Sequence, residues 1–172
     1  MTFWLACIRR IDAVNGWVGR WLAWLTLGTV AACFLTVVLR YAFNVGFIWL
    51  QELYVWQYAW VFLVGAGPTF LRGGHVRVDV FYSTMPARGK AAVDLFGGAI
   101  FLLPFLFVVG RESWTFVAFS FAVNESSDQS GGLPALWLLK SGLLAFCALA
   151  GLQGLALMAR SALLLTGRSG TQ

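Results

Sequence analysis

Charge is what this chain has least of. Only 11% of its 172 residues are charged, twelve basic and seven acidic, against about 25% in soluble domains. So few charges cannot coat a soluble globule of this length, and a mean hydropathy of +0.79 agrees. A soluble enzyme and a disordered chain are both excluded. Histidine occurs once and cysteine three times. One histidine rules out bis-histidine haem ligation, and Cys7, Cys33 and Cys147 have neither disulfide-framework nor metal spacing. A phosphate-binding glycine loop, a Gly-x-Ser-x-Gly elbow and paired carboxylates at membrane depth are missing too. The inventory predicts no enzymatic activity, no cofactor and no metal.

What is present is apolar sequence in long runs. Trp21–Leu39 and Leu53–Leu71 carry no charge, Ala91–Gly110 contains only Asp94, and Ser141–Ala159 again has none. At 1.5 Å per residue each run spans roughly the 30 Å of a bilayer core. The expected fold class is therefore all-α, a polytopic integral membrane protein with four transmembrane helices in one membrane domain over 1–172. The spans fall at about 17–40, 49–71, 86–122 and 133–159. No connecting piece exceeds 22 residues, too short to fold as a domain by itself. Arg9 and Arg10 follow the first apolar stretch instead of preceding it, so no cleavable signal peptide is expected.

Basic residues orient the spans. With a cytoplasmic amino terminus, Arg9, Arg10, Arg20, Arg72, Arg77, Arg88, Lys90, Arg160 and Arg168 lie inside, and Arg40, Arg111 and Lys140 lie outside. That is a positive-inside bias with both termini cytoplasmic. No polar domain offers a basic face for nucleic acid. Trp17, Trp21 and Trp24 mark one interface, and Trp49 and Trp114 the other. Phe3, Trp4, Ile8, Ile11 and Val14 alternate with Arg9, Arg10, Asp12 and Asn15, which predicts a short amphipathic segment along the inner surface.

The third span is over-long. Pro86 opens it, Pro104 is the expected place to bend, and a helix over 86–122 must tilt, project or bend. The acidic, turn-rich stretch Asn124–Gly132 follows on the outside, and Pro134 reads as the first turn of the fourth span. Gly142, Ala145, Ala148, Gly151 and Gly154 form a small-residue face there, expected to meet another helix of the same chain.

The polar residues worth following are few. Arg40 closes the first span and Glu52 opens the second, which predicts an ion pair or shared polar network pinning the hairpin. Lys140, two turns into the fourth span, is placed to reach outward to Glu125 or Asp128. His75 and Asp79 share a face if residues 78–85 and their approach are helical, and a loop contact is favoured over a proton relay. No inverted repeat and no midplane polar site are visible, so a self-sufficient transporter is not expected.

Arg40-Tyr-Ala-Phe-Asn44, Trp49-Leu-Gln-Glu52, Trp60-Val-Phe-Leu-Val-Gly65, His75-Val-Arg-Val-Asp79 and Pro86, in this order, resemble the small membrane subunit of tripartite ATP-independent periplasmic (TRAP) transporters. The resemblance covers roughly residues 35–140. Gln51 precedes Glu52 where many relatives carry a second acidic residue. The resemblance implies a four-helix subunit of the bacterial inner membrane. A large membrane subunit would be its partner and a periplasmic substrate-binding protein a transient one, in sodium-coupled uptake of organic acids. This chain would brace the large subunit without binding sodium or substrate. Phe101, Phe105, Phe107, Trp56 and Trp60 would face lipid or the partner, with a phospholipid between the subunits. The alternative is a small homo-oligomeric channel or carrier joined by the glycine face.

Overall fold

The computed structural model describes residues 2–74 and 82–166, with the side chains of Thr2 and Phe3 excepted. Regular structure among them is entirely helical. Helix α1 runs Thr2–Ala42, α2 Ile48–Val64 and α3 Ala66–Leu71; α4 is Ala87–Gly97, α5 Leu103–Ala122 and α6 Leu136–Leu165. A five-residue π-helical turn, Gly98–Leu102, joins α4 to α5. Among the described residues three stretches are long and apolar enough to cross a membrane, Trp4–Ala42, Ala87–Ala122 and Leu136–Leu165. The fourth apolar run is divided between α2 and α3.

The N-terminal segment is not a separate surface helix but the first turns of α1, which continues unbroken for 41 residues. No proline interrupts it, and its inward stripe is Ile8, Asp12 and Asn15 at helical spacing, while Trp4 and Val14 point outward. In lipid the usual polarity of an amphipathic helix has no reason to hold, because apolar side chains are content outside.

Both mid-run irregularities trace to proline. Pro68 cannot donate to the carbonyl of Val64, and the helix is interrupted at Gly65, the next residue. Pro104 cannot donate to the carbonyl of Ile100, which lies inside the π turn. The distortion thus falls one turn before Pro104 and not at it. Pro86 sits immediately before α4, and Lys90 N–H bonds its carbonyl at 3.0 Å. The last helix starts later than Pro134 suggests. Ala135 is left-handed (φ 63°), so helical geometry begins only at Leu136, and it ends at Leu165, beyond 159.

Helix α6 is the hub against which every other helix packs. Its buried residues are Gly142, Ala150, Gln153, Gly154, Ala156, Met158 and Ser161, mostly small, which lets neighbouring backbones approach. A Cβ at Gly142 would lie 3.2 Å from Leu63, one at Gly151 3.6 Å from Leu106, and one at Gly154 2.5 Å from Leu102. The glycine face of the fourth span is therefore filled from within the chain. Ala148, by contrast, is exposed.

Candidate functional site

Polar side chains gather in two clusters at opposite ends of the bundle. At the end bearing the α1–α2 connection, Glu52 accepts a hydrogen bond from the Ser127 hydroxyl and another from Leu133 N–H at 2.6 Å. Ser127 N–H in turn donates to the Leu133 carbonyl at 3.1 Å. Next to it, the Lys140 ammonium pairs with Glu125 at 2.5 Å and lies 3.9 Å from the centroid of Phe116. The connection Val123–Ala135 is thus clasped twice, to α2 by Glu52 and to α6 by Lys140. The Lys140 ammonium is the main reason the Glu125 carboxyl is held below its ordinary value.

Arg40 does not join this cluster. The expected Arg40–Glu52 pair is absent, and the reason is helical phase. The α2–α3 face toward α1 is marked by Gln57, Pro68 and Leu71, which lie against Gly28, Gly19 and Gly16. Glu52 falls instead on the stripe with Trp60 and Leu63, which meets Gly142 of α6. Arg40 is exposed beside a polar recess shared with Asn44, Gly46 and Gln51. Trp60, expected to face lipid or a partner, packs against α6, 3.7 Å from the position of a Gly142 Cβ. Phe101, Phe105 and Phe107 do remain exposed. His75 and Asp79 lie outside the described residues, as does the first half of the 78–85 segment.

The opposite cluster was invisible to pattern reading. Asn15, fully buried, donates to Gln153 at 2.9 Å, Gln153 donates to Asp12 at 3.0 Å, and Asp12 pairs with Arg160. This relay ties the first turns of α1 to the last turns of α6. The available sequence signals were Gln153, a lone amide in an uncharged run, and the Asp12/Asn15 spacing of three. Tyr82 also donates to Asp94 at 2.9 Å, which accounts for the acid in the third span. Between the clusters the hydroxyls of Thr26, Thr29 and Thr36 each bond the carbonyl four residues back in α1, so they satisfy their own helix. Among the described residues no group of three His, Cys, Asp or Glu side chains is placed to hold a metal.

The fold and its polar clusters define a multi-pass, all-helical membrane protein, and the family that it matches is a component of a transport assembly, not an enzyme. Its family is specific. The chain belongs to the DctQ component of the tripartite ATP-independent periplasmic transporters, whose family model matches residues 29–164. As a member of that family it is an inner-membrane protein. The C4-dicarboxylate TRAP transporter small permease protein DctQ of Vibrio cholerae is 36% identical over 84 residues, 48% of this chain and 35% of that protein. A Haemophilus influenzae protein named as a TRAP transporter small permease is 30% identical over 98 residues, 57% of this chain and 59% of that protein. In both cases the match spans less than two thirds of the relative's length. No solved structure matches the chain.

Proposed function

We propose that this chain braces the large membrane subunit of a sodium-coupled, binding-protein-dependent secondary transporter for organic acids. It contributes no substrate or sodium ligand of its own. The edge with Arg20, Arg72 and Arg160 faces the cytoplasm, with both termini, and the clasped connection Val123–Ala135 faces the periplasm, where a substrate-binding protein docks transiently. The single observation that carries this reading is how little of the outer helices is used internally. Only 6% of the most apolar stretch of α1, and 6% of that of α4–α5, is buried within the chain, against 33% in α6. Two flanking helices with free apolar surfaces around one packed hub suit a frame inserted between lipid and a larger partner. A groove of about 590 Å³, lined by Phe70, Val93, Phe101, Phe105 and Leu157 with Asp94 beside them, supports a phospholipid chain between the subunits as part of this reading. The homo-oligomeric alternative loses its proposed seam, since the glycine face is occupied by Leu63, Leu102 and Leu106.

Deleting the chain is expected to abolish organic-acid uptake while the binding protein keeps its affinity for substrate. The chain should co-purify one-to-one with a much larger hydrophobic subunit. Undiminished uptake by that subunit alone overturns the bracing role.

A further inference from the structure

Two grooves border α4 where it lies along α6. One is the groove toward α3, with Phe70 and Val93 in its walls. The other is larger, about 750 Å³, and opens toward α1. Its floor is α6 from Leu155 to Thr166, with the small side chains of Ala159 and Ala162 in the middle, and its walls are Trp4 of α1 and Leu95 of α4. The floor covers eleven residue steps, or roughly 16 Å at 1.5 Å per residue. That is the depth of one leaflet of a ~30 Å bilayer core.

The mouth of this groove is basic. Gly98 lies against Met158, and α4 runs antiparallel to α6. Arg88, ten residues before Gly98, therefore falls level with the chain just past Leu165, at the open end. Arg88 and Leu95 are seven residues apart, two helical turns, so they share the face of α4 that walls the groove. Arg88 is exposed and has no ion-pair partner among the described residues. The other charges at this end are engaged. Asp12 pairs with Arg160, Asp94 accepts from Tyr82, and the Lys90 ammonium lies 5.5 Å from the centroid of the Tyr82 ring.

We propose that this groove binds an anionic phospholipid of the cytoplasmic leaflet, with one acyl chain along Ala159 and Ala162 and the headgroup phosphate at Arg88. A partner helix is too wide for the slot. At 10–12 Å across, a helix of the same length needs roughly 1,300 Å³ or more. Apolar contact does not select the lipid, because bulk lipid offers the same contacts everywhere. Selection comes from charge. Basic groups between helices on the cytoplasmic side favour anionic headgroups, and a guanidinium matches phosphate with paired hydrogen bonds. A choline headgroup carries its own cation beside the phosphate and gains less from Arg88. Helix dipoles do not decide the matter, since α4 begins and α6 ends at this level with opposite partial charges. The leaflet follows from the orientation proposed above, whereas the lipid preference rests on the groove and Arg88 alone.

Native mass spectrometry of the full chain, in detergent with equal amounts of phosphatidylglycerol and phosphatidylcholine, reads the bound lipid directly. Phosphatidylglycerol should be retained several-fold over phosphatidylcholine. Arg88→Gln should bring the ratio close to one, and Arg88→Lys should keep part of the preference. Ala162→Phe fills the floor of this groove and not that of its neighbour, and should abolish the preference. Arg111→Gln, an exposed arginine at the opposite end, should change nothing. Equal retention of the two lipids by the unsubstituted chain overturns the proposal. So does a preference that survives Arg88→Gln, that survives Ala162→Phe in the folded chain, or that falls equally with Arg111→Gln. Should Ala162→Phe fail to fold, the exposed Arg88 and Arg111 variants decide. The readout needs neither the large subunit nor transport, so it stands or falls apart from the bracing role.

Discussion

Asn15 shows how one side chain can decide a helix contact. It is fully buried, bonds Gln153, and presses its Oδ1 toward Gly67, where a Cβ would also stand 3.0 Å from Leu149. Gly67→Ala should therefore cost about 1–3 kcal/mol as overpacking, measured by thermal unfolding in detergent. Asn15→Ala loses its bond to Gln153 but empties the same space, so Asn15→Ala with Gly67→Ala should lose less than the two separately. Strict additivity would mean that the contact carries no strain. Glu125 gives a pH prediction. Its folded carboxyl is held below the ordinary 4.5, chiefly by Lys140. The stabilisation this brings is fully present above about 4.5 and disappears as pH falls through the lowered value. The stability gap between the native chain and Glu125→Gln should accordingly be flat from pH 7 to 5 and shrink below 4.5. A gap that widens on acidification would contradict the sign.

At the scale of elements, the two prolines shape the second and third spans by the same mechanism, a missing N–H four residues after a carbonyl. Next to Pro104 the outcome is a π turn, which changes the azimuth of Ala87–Gly97 relative to α5. That phase places Gly98 against Met158, where a Cβ would sit 2.8 Å from its Cγ. Pro104→Ala restores the donor, and the turn is expected to close toward regular α-helix. A disulfide between Gly98→Cys and Met158→Cys should then form several-fold more slowly, while one between Gly110→Cys and native Cys147 forms as before. Unchanged rates for both would show that the proline does not hold the turn. The clasp on Val123–Ala135 works by a different principle. Charge-assisted bonds from Glu52 and Lys140 order a connection that has few apolar contacts to hold it.

At the scale of the molecule, stability and interaction surface are separated. Packing concentrates on α6, and the flanks of α1 and α5 are left apolar and open. Gly154→Val, which would drive a methyl into Leu102, should cost about 1–3 kcal/mol in the isolated chain. Phe107→Ala, at a side chain 71% exposed, should leave the isolated chain within about 0.5 kcal/mol of its parent. If truncating Phe107 destabilises the isolated chain as much as Gly154→Val, α5 is not the free flank described above.

Much was legible in the residues alone. The membrane class, the four apolar runs, a bend near Pro104 and the resemblance to a TRAP small subunit follow from hydropathy, donor loss and motif order, whereas the break at Gly65 before Pro68 emerged only in the fold. Those are local or additive properties, since transfer energies sum along a chain and a missing N–H acts on a neighbour four residues away. The site residues were less readable. Arg40 and Glu52 are close in sequence, yet Arg40 stays exposed beside its hairpin while Glu52 turns to the connection before α6; Lys140, by contrast, meets Glu125 as their placement predicted. Asp12, Gln153 and Arg160 meet across some 140 residues. Which polar groups pair depends on azimuth, at about 100° per residue, and on the register of helices that touch only once the bundle has formed. Scarcity of charge by itself determined that this protein lives in a membrane. The tertiary structure decided where the few charges meet, because only packed helices fix the azimuth and register of their side chains.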